Sequence, residues 1–178
     1  MTALGQYDGI LKQAIAALKY SDRPDVAAPL GRALAQQWQL ENGLNTNLRN
    51  CTYVVPIPLH IERQRQRGYN QAERIADAFC KVSRLPLVAN ALQRVKATQP
   101  QHALNAQARQ QNLAQVFQVS TKLQQTLTNR RKPLGKPAVL LIDDIYTTGA
   151  TVQSAADTLQ RAGFPVVGVA VVAQAVMT

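Results

Sequence analysis

The chain has 178 residues, of which 46% are hydrophobic, a size and composition typical of one globular domain with a full core. Two cysteines, Cys51 and Cys80, are too few for a disulfide framework or a four-cysteine zinc site, and the apolar run over 166–176 is too short to span a bilayer. The net charge of +10 favours an anionic partner, either a small phosphate compound or a nucleic acid. We therefore expect a cytoplasmic protein with free thiols and no membrane insertion.

The N-terminal region predicts two amphipathic helices. Apolar residues recur at three- and four-residue steps over 10–18 and again over 26–38. Asp22, Pro24 and Asp25 interrupt this pattern, and the two acids are candidate caps for the second helix. We expect the whole region to pack as helices against the rest of the chain.

A strand is predicted over 53–58, because each of its prolines lacks a donor and holds the preceding residue in an extended conformation. A loop should follow, and a helix should open at Tyr69 or Asn70. The loop contains alternating arginines at positions 63, 65 and 67. Guanidinium groups form forked, charge-assisted bonds with phosphate oxygens, which makes the loop a candidate pyrophosphate site.

Gly68 and the free amides of 69–71 are predicted to form a second anion-binding turn at the end of that loop. Two simpler interpretations remain for the arginines. They would also fit a solvated basic loop, or a patch that contacts a nucleic acid backbone.

The centre of the chain is basic and weakly patterned. No acidic residue occurs over 78–142, although ten Lys and Arg residues do. The pattern predicts a short strand over 85–92, a polar segment over 94–107, a helix over 105–116 and a linker over 121–137.

The most specific pattern begins with a buried strand predicted over 138–143, which ends in Asp143 and Asp144. Such sheets bind ligands at the carboxyl ends of their strands. The two carboxylates can accept hydrogen bonds from vicinal sugar hydroxyls or share a metal with them. A loop rich in hydroxyls and small residues follows, and it leads into a helix whose free amides favour a phosphate. This loop comprises Thr147, Thr148, Gly149, Ala150 and Thr151.

Two alternatives compete with a sugar-phosphate site. The acids resemble those of the metal-holding strand of a P-loop NTPase, but the chain lacks the sequence G-x-x-x-x-G-K-[ST]. A plain turn with a helix-capping side chain is the other interpretation. The helix over 151–162, the stop at Gly163 and a strand over 166–172 complete a parallel crossover, which predicts an α/β fold with a mostly parallel sheet.

The run of apolar residues, two acids and T-T-G-x-T resembles the phosphoribosyl-pyrophosphate (PRPP) motif of type I phosphoribosyltransferases. The resemblance implies a twisted, mostly parallel sheet flanked by helices. It implies that Asp143 and Asp144 are catalytic residues that hold the ribose hydroxyls, and that 147–151 holds the 5'-phosphate. Mg²⁺ would accompany PRPP, held through the same two acids.

A closer resemblance comes from P-x-P-L-H-x-x-R-x-x-x-R-G-Y-N-Q-A over 56–72, which is similar to the signature of the ComF/GntX family, linked to competence and DNA uptake. The helix after Tyr7 and an R…T…Q…L…R…N…F series over 94–117 also fit that family. One domain over 1–178 is implied, with N-terminal helices over 1–42 and the core over 53–178. The implied substrate-binding residues before the acids are Arg63, Arg67, Gly68, Tyr69 and Asn70.

Further contacts to pyrophosphate are expected from Arg94, Lys96 or Arg109, for which a surface loop is the simpler interpretation. Many family members carry a four-cysteine zinc module ahead of the helix near Tyr7. This sequence begins where that module would end, so two interpretations stay open: a short relative that lacks the module, or a module that lies outside this sequence. These residues alone give no basis for a role that depends on zinc.

Three functions follow from the resemblance. The first is a glycosyltransferase that moves phosphoribosyl from PRPP to an acceptor, which no motif identifies. The second is a PRPP sensor without turnover. The third is an accessory protein that handles single-stranded DNA or meets DNA-uptake proteins, although aromatic residues are sparse at 5%.

Overall fold

The computed structural model describes residues 1–42, 52–95, 116–121, 123, 125 and 137–175. A short 3-10 turn, Pro24–Val26, separates the first two α-helices. The elements in chain order are β1 (Thr2–Gln6), α1 (Gly9–Tyr20), α2 (Ala27–Asn42), β2 (Thr52–Pro56), α3 (Ile61–Arg67), α4 (Gln71–Ser83), β3 (Leu92–Arg94), β4 (Phe117–Val119), β5 (Ala138–Tyr146), α5 (Ala150–Arg161) and β6 (Val166–Gln174).

Four parallel strands form the central sheet in the order β1-β6-β5-β2. Leu141 in the middle of β5 pairs with Val55 of β2 on one side and with Val169 of β6 on the other. Leu87 extends the sheet beyond β2 by a parallel bridge to Val54. The expected α/β architecture, a parallel sheet flanked by helices, is confirmed, and it is consistent with a type I phosphoribosyltransferase-like fold.

Helices cover both faces of this sheet, and β5 shows how. Its side chains alternate between two hydrophobic clusters because successive residues of a strand point to opposite faces. Leu140 and Ile142 pack in the cluster built from α1, α2 and α4, whereas Val139 and Leu141 pack in the cluster built from α5 and the β3–β4 hairpin. We call these the α4 face and the α5 face of the sheet.

The helices on the α4 face approach one another closely. A Cβ atom added at Gly31 of α2 would lie 2.3 Å from the carbonyl oxygen of Ile75 and 2.7 Å from the Cβ of Ala78, both in α4. Further along the same two helices, the rings of Trp38 in α2 and Phe79 in α4 pack edge to face, with 5.9 Å between their centres. This contact fixes the N-terminal helices on the core.

Several local predictions hold. The two N-terminal helices, the strand after residue 51, the helix beginning after Asn70 and the final helix and strand all occur, with shifts of a few residues. Gly163 adopts a φ of 87°, as expected of a glycine that ends a helix. Cys80 is a free thiol, and burial raises its pKa to about 12.

The first strand was not anticipated. Thr2–Gln6 lacks an alternating apolar pattern, and it is extended because it pairs in parallel with β6, more than 160 positions away. Such pairing leaves no mark in a local pattern. The N-terminal region therefore supplies an edge strand as well as helices.

The prediction of an arginine loop was wrong, because 61–67 form the helix α3. Its Glu, Gln and Arg residues are all good helix formers, and Gly68 ends the helix in the left-handed region at φ 77°. The strand expected over 85–92 reduces to the bridge at Leu87 and the separate strand β3, which pairs antiparallel with β4.

Some predictions lie outside the described residues. They concern Cys51, Lys96, Arg109, the helix over 105–116 and most of the linker over 121–137. Within the residues that the structure describes, no helix combines the length and the apolar character that crossing a membrane requires.

Candidate functional site

The acids lie where the sheet opens. β2 pairs with β5 only as far as Ile142, whereas β6 follows β5 to Tyr146, so Asp143 and Asp144 begin the part of β5 beyond its ladder with β2. The connection after β2 leads through α3 to α4, which covers the α4 face, and the helix after β5 covers the α5 face. A parallel sheet forms a ligand-binding crevice at the carboxyl ends of two strands whose connections leave in opposite directions. The acids therefore lie where such a crevice is expected.

Asp143 and Asp144 point to opposite faces of the sheet, since they are neighbours in one strand. Asp144 continues the α4 face after Leu140 and Ile142, and it is only 8% exposed. Asp143 continues the α5 face and is half-buried. A ligand that used both carboxylates would therefore have to sit over the edge of the sheet.

On the α4 face, Lys19 holds Asp144. The Lys19 Nζ atom lies 3.1 Å from Oδ1 and 3.0 Å from Oδ2 of Asp144. Lys19 stands near the end of α1, and two further contacts fix that end. The Tyr69 hydroxyl donates to the Leu18 carbonyl at 2.7 Å, and the Arg67 guanidinium lies 5.8 Å from the centre of the Tyr20 ring.

Lys19 is the site residue that sequence reasoning did not single out. It stands 125 positions from Asp144, and no spacing rule relates the two. The available signal was its place at the end of the helix that resembles the opening helix of the ComF/GntX family. The structure gives that helix a direct role at the acid pair.

On the α5 face, Arg94 lies close enough to Asp143 for their charges to interact, and Arg63 lies close enough to Arg94. Burial first, and then the charge of Arg63, lower the pKa of Arg94, while Asp143 opposes this effect. The Arg94 guanidinium also lies 5.7 Å from the centre of the Phe117 ring. Arg63 from α3 and Arg94 from β3 therefore bring positive charge to the side of β5 on which Asp143 lies.

The protonation of Asp143 differs from that of an ordinary aspartate. Burial, and next the charge of Asp144, raise its pKa to about 8. The amide of Asp144 donates to Asp143 Oδ1 at 2.8 Å and, with Lys19 and Arg94, acts in the opposite direction. Burial and the neighbouring charge of Asp144 thus favour the protonated form of Asp143 when no ligand is bound.

This raised pKa predicts how stability changes with pH. The folded chain binds the Asp143 proton more tightly than the unfolded chain, whose carboxyl has a pKa of about 4. The free energy of unfolding contributed by Asp143 is therefore lost as pH rises from about 4 to about 8. We expect the stability advantage of Asp143→Asn over the wild type to be small at pH 5 and larger at pH 8, measured by urea unfolding without Mg²⁺. An equal difference at both pH values would contradict this.

The loop after β5 has the form of an anion site. Gly149 precedes α5 in the left-handed region at φ 77°, and no side chain caps the helix. Thr147 and Thr148 are exposed, and the Ala150 amide donates weakly to the Thr148 hydroxyl at 3.4 Å. The Gln153 amide makes the first bond of the helix, to the Gly149 carbonyl, so the amides of Thr151 and Val152 before it are available to a phosphate.

The helix α3 divides its arginines. Arg63 and Arg67 are four residues apart and share one face, whereas Arg65 lies on the other side of the helix. Arg63 and Arg65 are exposed, whereas Arg67 is partly covered near Tyr20. The structure therefore supplies two arginines, not three, on one side of α3.

Tyr69 and Asn70, expected at the ligand, have internal partners. Both are buried. The Asn70 side chain accepts from the Ala72 amide at 3.1 Å and donates to the Ile57 carbonyl at 3.1 Å. It caps α4 and ties it to the end of β2. The Gly68 amide donates to the Gln64 carbonyl at 2.8 Å, which ends α3, and an anion-binding turn formed by the amides of 69–71 stays a prediction.

No cluster of three or more His, Cys, Asp or Glu residues that could hold a metal occurs within the described ranges. The acid pair alone is a small ligand set. It fits Mg²⁺, which binds through one or two carboxylates and completes its octahedron with water and substrate oxygens. A magnesium ion would thus be shared with the ligand.

The chain is similar to several bacterial proteins, while no family model matches it. It is 30% identical over 163 residues to the DNA utilization protein YhgH of Escherichia coli strain K12. That alignment covers 92% of this chain but 66% of YhgH, just under two thirds of its length. Competence protein F of Haemophilus influenzae is 33% identical and competence protein ComFC of Bacillus subtilis 32% identical, each over 110 residues. These two alignments cover 62% of this chain, and 44% and 39% of the respective relatives.

Proposed function

The chain belongs to the ComF family of competence and DNA utilization proteins, and from that premise we propose that it binds PRPP and transfers the phosphoribosyl group to a nucleophilic acceptor. The observation that carries the proposal is the meeting of three features at one sheet edge: the acid pair, the uncapped helix N-terminus after Gly149, and the positive charge of Arg63 and Arg94. Together they match the three charged or polar parts of PRPP.

Each part of the ligand has a candidate partner. The loop over 147–151 suits the 5'-phosphate, because free amides and exposed threonine hydroxyls converge there. Asp143 and Asp144 suit the ribose hydroxyls. Arg63, with Arg94 and Arg67, suits the pyrophosphate, since guanidinium groups form paired bonds to phosphate oxygens.

The transfer would break the bond between ribose C1 and the pyrophosphate oxygen and form a bond from C1 to the acceptor. Positive charge grows on the sugar during this step, and the carboxylates beside it would stabilise that charge. The arginines would stabilise the negative charge on the leaving pyrophosphate. Mg²⁺, held by Asp143 or Asp144 together with the ligand, would supply further neutralisation of the pyrophosphate.

Binding by Asp144 requires competition with Lys19. Both oxygens of Asp144 contact the ammonium group, so a ligand hydroxyl must share or displace it. Binding through Asp143 favours the ionised carboxylate as acceptor, and its raised pKa therefore makes ligand binding release a proton.

Calorimetry of the wild-type protein with PRPP tests the proposal. We expect saturable binding that needs Mg²⁺, and release of pyrophosphate when a pool of nucleobases and amines is added. Binding without any release would favour a PRPP sensor over a transferase. If the wild type gives no heat of binding with PRPP and Mg²⁺, both the transferase and the sensor are excluded.

A second function, contact with single-stranded DNA, is favoured by one observation. Arg65 is exposed on the side of α3 away from Arg63 and Arg67, so it is free to meet a polyanion outside the crevice. The name of the YhgH relatives refers to DNA utilization. Binding of an oligonucleotide that weakens steeply with salt and falls in Arg65→Gln would support this function.

A further inference from the structure

Gln71 is a buried amide that lacks hydrogen-bond partners. Its side chain is 1% exposed, and neither Nε2 nor Oε1 is bonded to any group in the part of the chain that the structure describes. Buried polar groups in folded proteins nearly always have a partner, so an exception of this kind calls for an explanation. A partner that arrives with the ligand would provide one.

The position of Gln71 points toward the acid pair. It is the first residue of α4, and side chains in a helix tilt toward the N-terminus, here toward the carboxyl edge of the sheet. Ile75, one turn later, packs in the same cluster as Leu140 and Ile142 of β5. Asp144 is the next residue of β5 on that face, so Gln71 and Asp144 continue the same layer past its apolar part.

Two hydrogen bonds tie the start of α4 to β5. The Asn70 side chain donates to the Ile57 carbonyl at 3.1 Å, and the Ile57 amide donates to the Ile142 carbonyl at 2.9 Å. The residue before Gln71 is therefore linked, through one intermediate, to the residue two positions before Asp144. This places the start of α4, where Gln71 stands, beside the carboxyl ends of β2 and β5.

A second buried polar group lacks a partner for a different reason. The Thr52 hydroxyl also lacks a partner among the described residues, but it lines a cavity of about 70 Å³ together with Met1 and Trp38 at the opposite edge of the sheet. A cavity of that size holds water, which can satisfy a hydroxyl. Gln71 does not line this cavity.

The chemistry of the carboxamide selects among ligands. A phosphate oxygen only accepts hydrogen bonds, whereas a sugar hydroxyl both donates and accepts and can satisfy either end of an amide. We propose that Gln71 is a specificity-determining residue that pairs with a ribose hydroxyl beside Asp144 in the ligand-bound protein. The inference rests on the proposed binding of PRPP. Because Gln71 is only 1% exposed, a ligand hydroxyl reaches it only after a side-chain movement, and beside Asp144 the ligand must also contest the ion pair with Lys19.

The test compares Gln71→Met, which keeps the size of the side chain but removes its polar atoms, with the control Gln36→Met at an exposed position of α2. Calorimetry with ribose 5-phosphate, 2-deoxyribose 5-phosphate and inorganic pyrophosphate gives the affinities, and thermal unfolding without ligand gives Tm. We expect Gln71→Met to keep or raise Tm, because it removes two unsatisfied groups. It should weaken ribose 5-phosphate about tenfold or more while leaving pyrophosphate unchanged.

The wild type should prefer ribose over 2-deoxyribose 5-phosphate, and Gln71→Met should lose most of this preference. If the wild type binds PRPP but Gln71→Met binds ribose 5-phosphate equally well, the role of Gln71 is refuted and the proposed function stands. A lowered Tm in Gln71→Met alone would also refute it, since the amide would then have a partner in the free protein. If the wild type binds neither PRPP nor ribose 5-phosphate, both proposals fall together.

Discussion

Asp143→Asn combined with Asp144→Asn is expected to weaken PRPP binding about 100-fold or more, which is about 2.7 kcal/mol of binding free energy. The reason is chemical, because an amide oxygen is a weaker acceptor than a carboxylate for a sugar hydroxyl and a poor ligand for Mg²⁺. Calorimetry with PRPP and Mg²⁺ measures the loss. Asp157→Asn, on α5 and bonded to Gln153, is a matched control that should bind as the wild type does.

The single variants Asp143→Asn and Asp144→Asn should differ in their effect on the free energy of unfolding. Asp144→Asn leaves the Lys19 ammonium, only 20% exposed, without its carboxylate, so we expect the free energy of unfolding to fall by about 1–3 kcal/mol. Lys19→Met in the same background should recover part of that loss, since it removes the unpaired charge. Asp143→Asn has no such effect and should stabilise the free protein above neutral pH.

This difference in stability makes it possible to distinguish a lost ligand contact from a damaged fold when PRPP affinity falls. The combination Lys19→Met with Asp144→Asn restores a neutral pair on the α4 face, so its PRPP affinity reports the lost carboxylate and not a damaged fold. We expect that affinity to stay low. If this variant binds PRPP as tightly as the wild type, Asp144 contributes only to the fold. If the double asparagine variant binds PRPP as tightly as the wild type, neither acid takes part in binding.

The parts of the site that could be predicted from the sequence are those formed by a few consecutive residues. A buried strand, two acids and a glycine loop at a helix start are neighbours in the chain, and local physics dictates their shape. The parallel sheet followed for the same reason, because the strand, helix and strand at the C-terminus form one crossover. These features needed no knowledge of the rest of the molecule.

The parts that escaped prediction depend on contacts between distant residues. Lys19 reaches Asp144 only because α1 and β5 pack in one layer, and β1 is a strand only because β6 offers it an edge. Strand alternation makes Asp143 and Asp144 point to opposite faces of the sheet. The sequence pattern marked only the end of the strand, and it did not show which face each side chain takes. The helix over 61–67 escaped prediction because its alternating arginines suggest a phosphate-binding loop. Arginine is nevertheless a good helix former.

Gly149→Ala is expected to weaken PRPP binding by about 100-fold or more, for two independent reasons. The φ of 77° costs an alanine about 1–2 kcal/mol, and its Cβ atom would lie 2.2 Å from the hydroxyl oxygen and 2.7 Å from the Cζ atom of Tyr146. Either the loop or the Tyr146 ring must move. Since Gly149 precedes the first amides of α5, a moved loop turns those amides away from the phosphate.

Gly163→Ala provides the control that separates conformational strain from the clash. Gly163 has a φ of 87° at the other end of α5, and a Cβ atom there meets nothing within 4 Å. Its replacement should lower the free energy of unfolding by about 1 kcal/mol and leave PRPP affinity unchanged. Inorganic phosphate, which occupies only the 5'-phosphate position in this scheme, should lose affinity for Gly149→Ala but not for Gly163→Ala. If phosphate and PRPP bind Gly149→Ala as tightly as the wild type, the loop over 147–151 does not hold the phosphate, and the ligand must use the arginines of α3 instead.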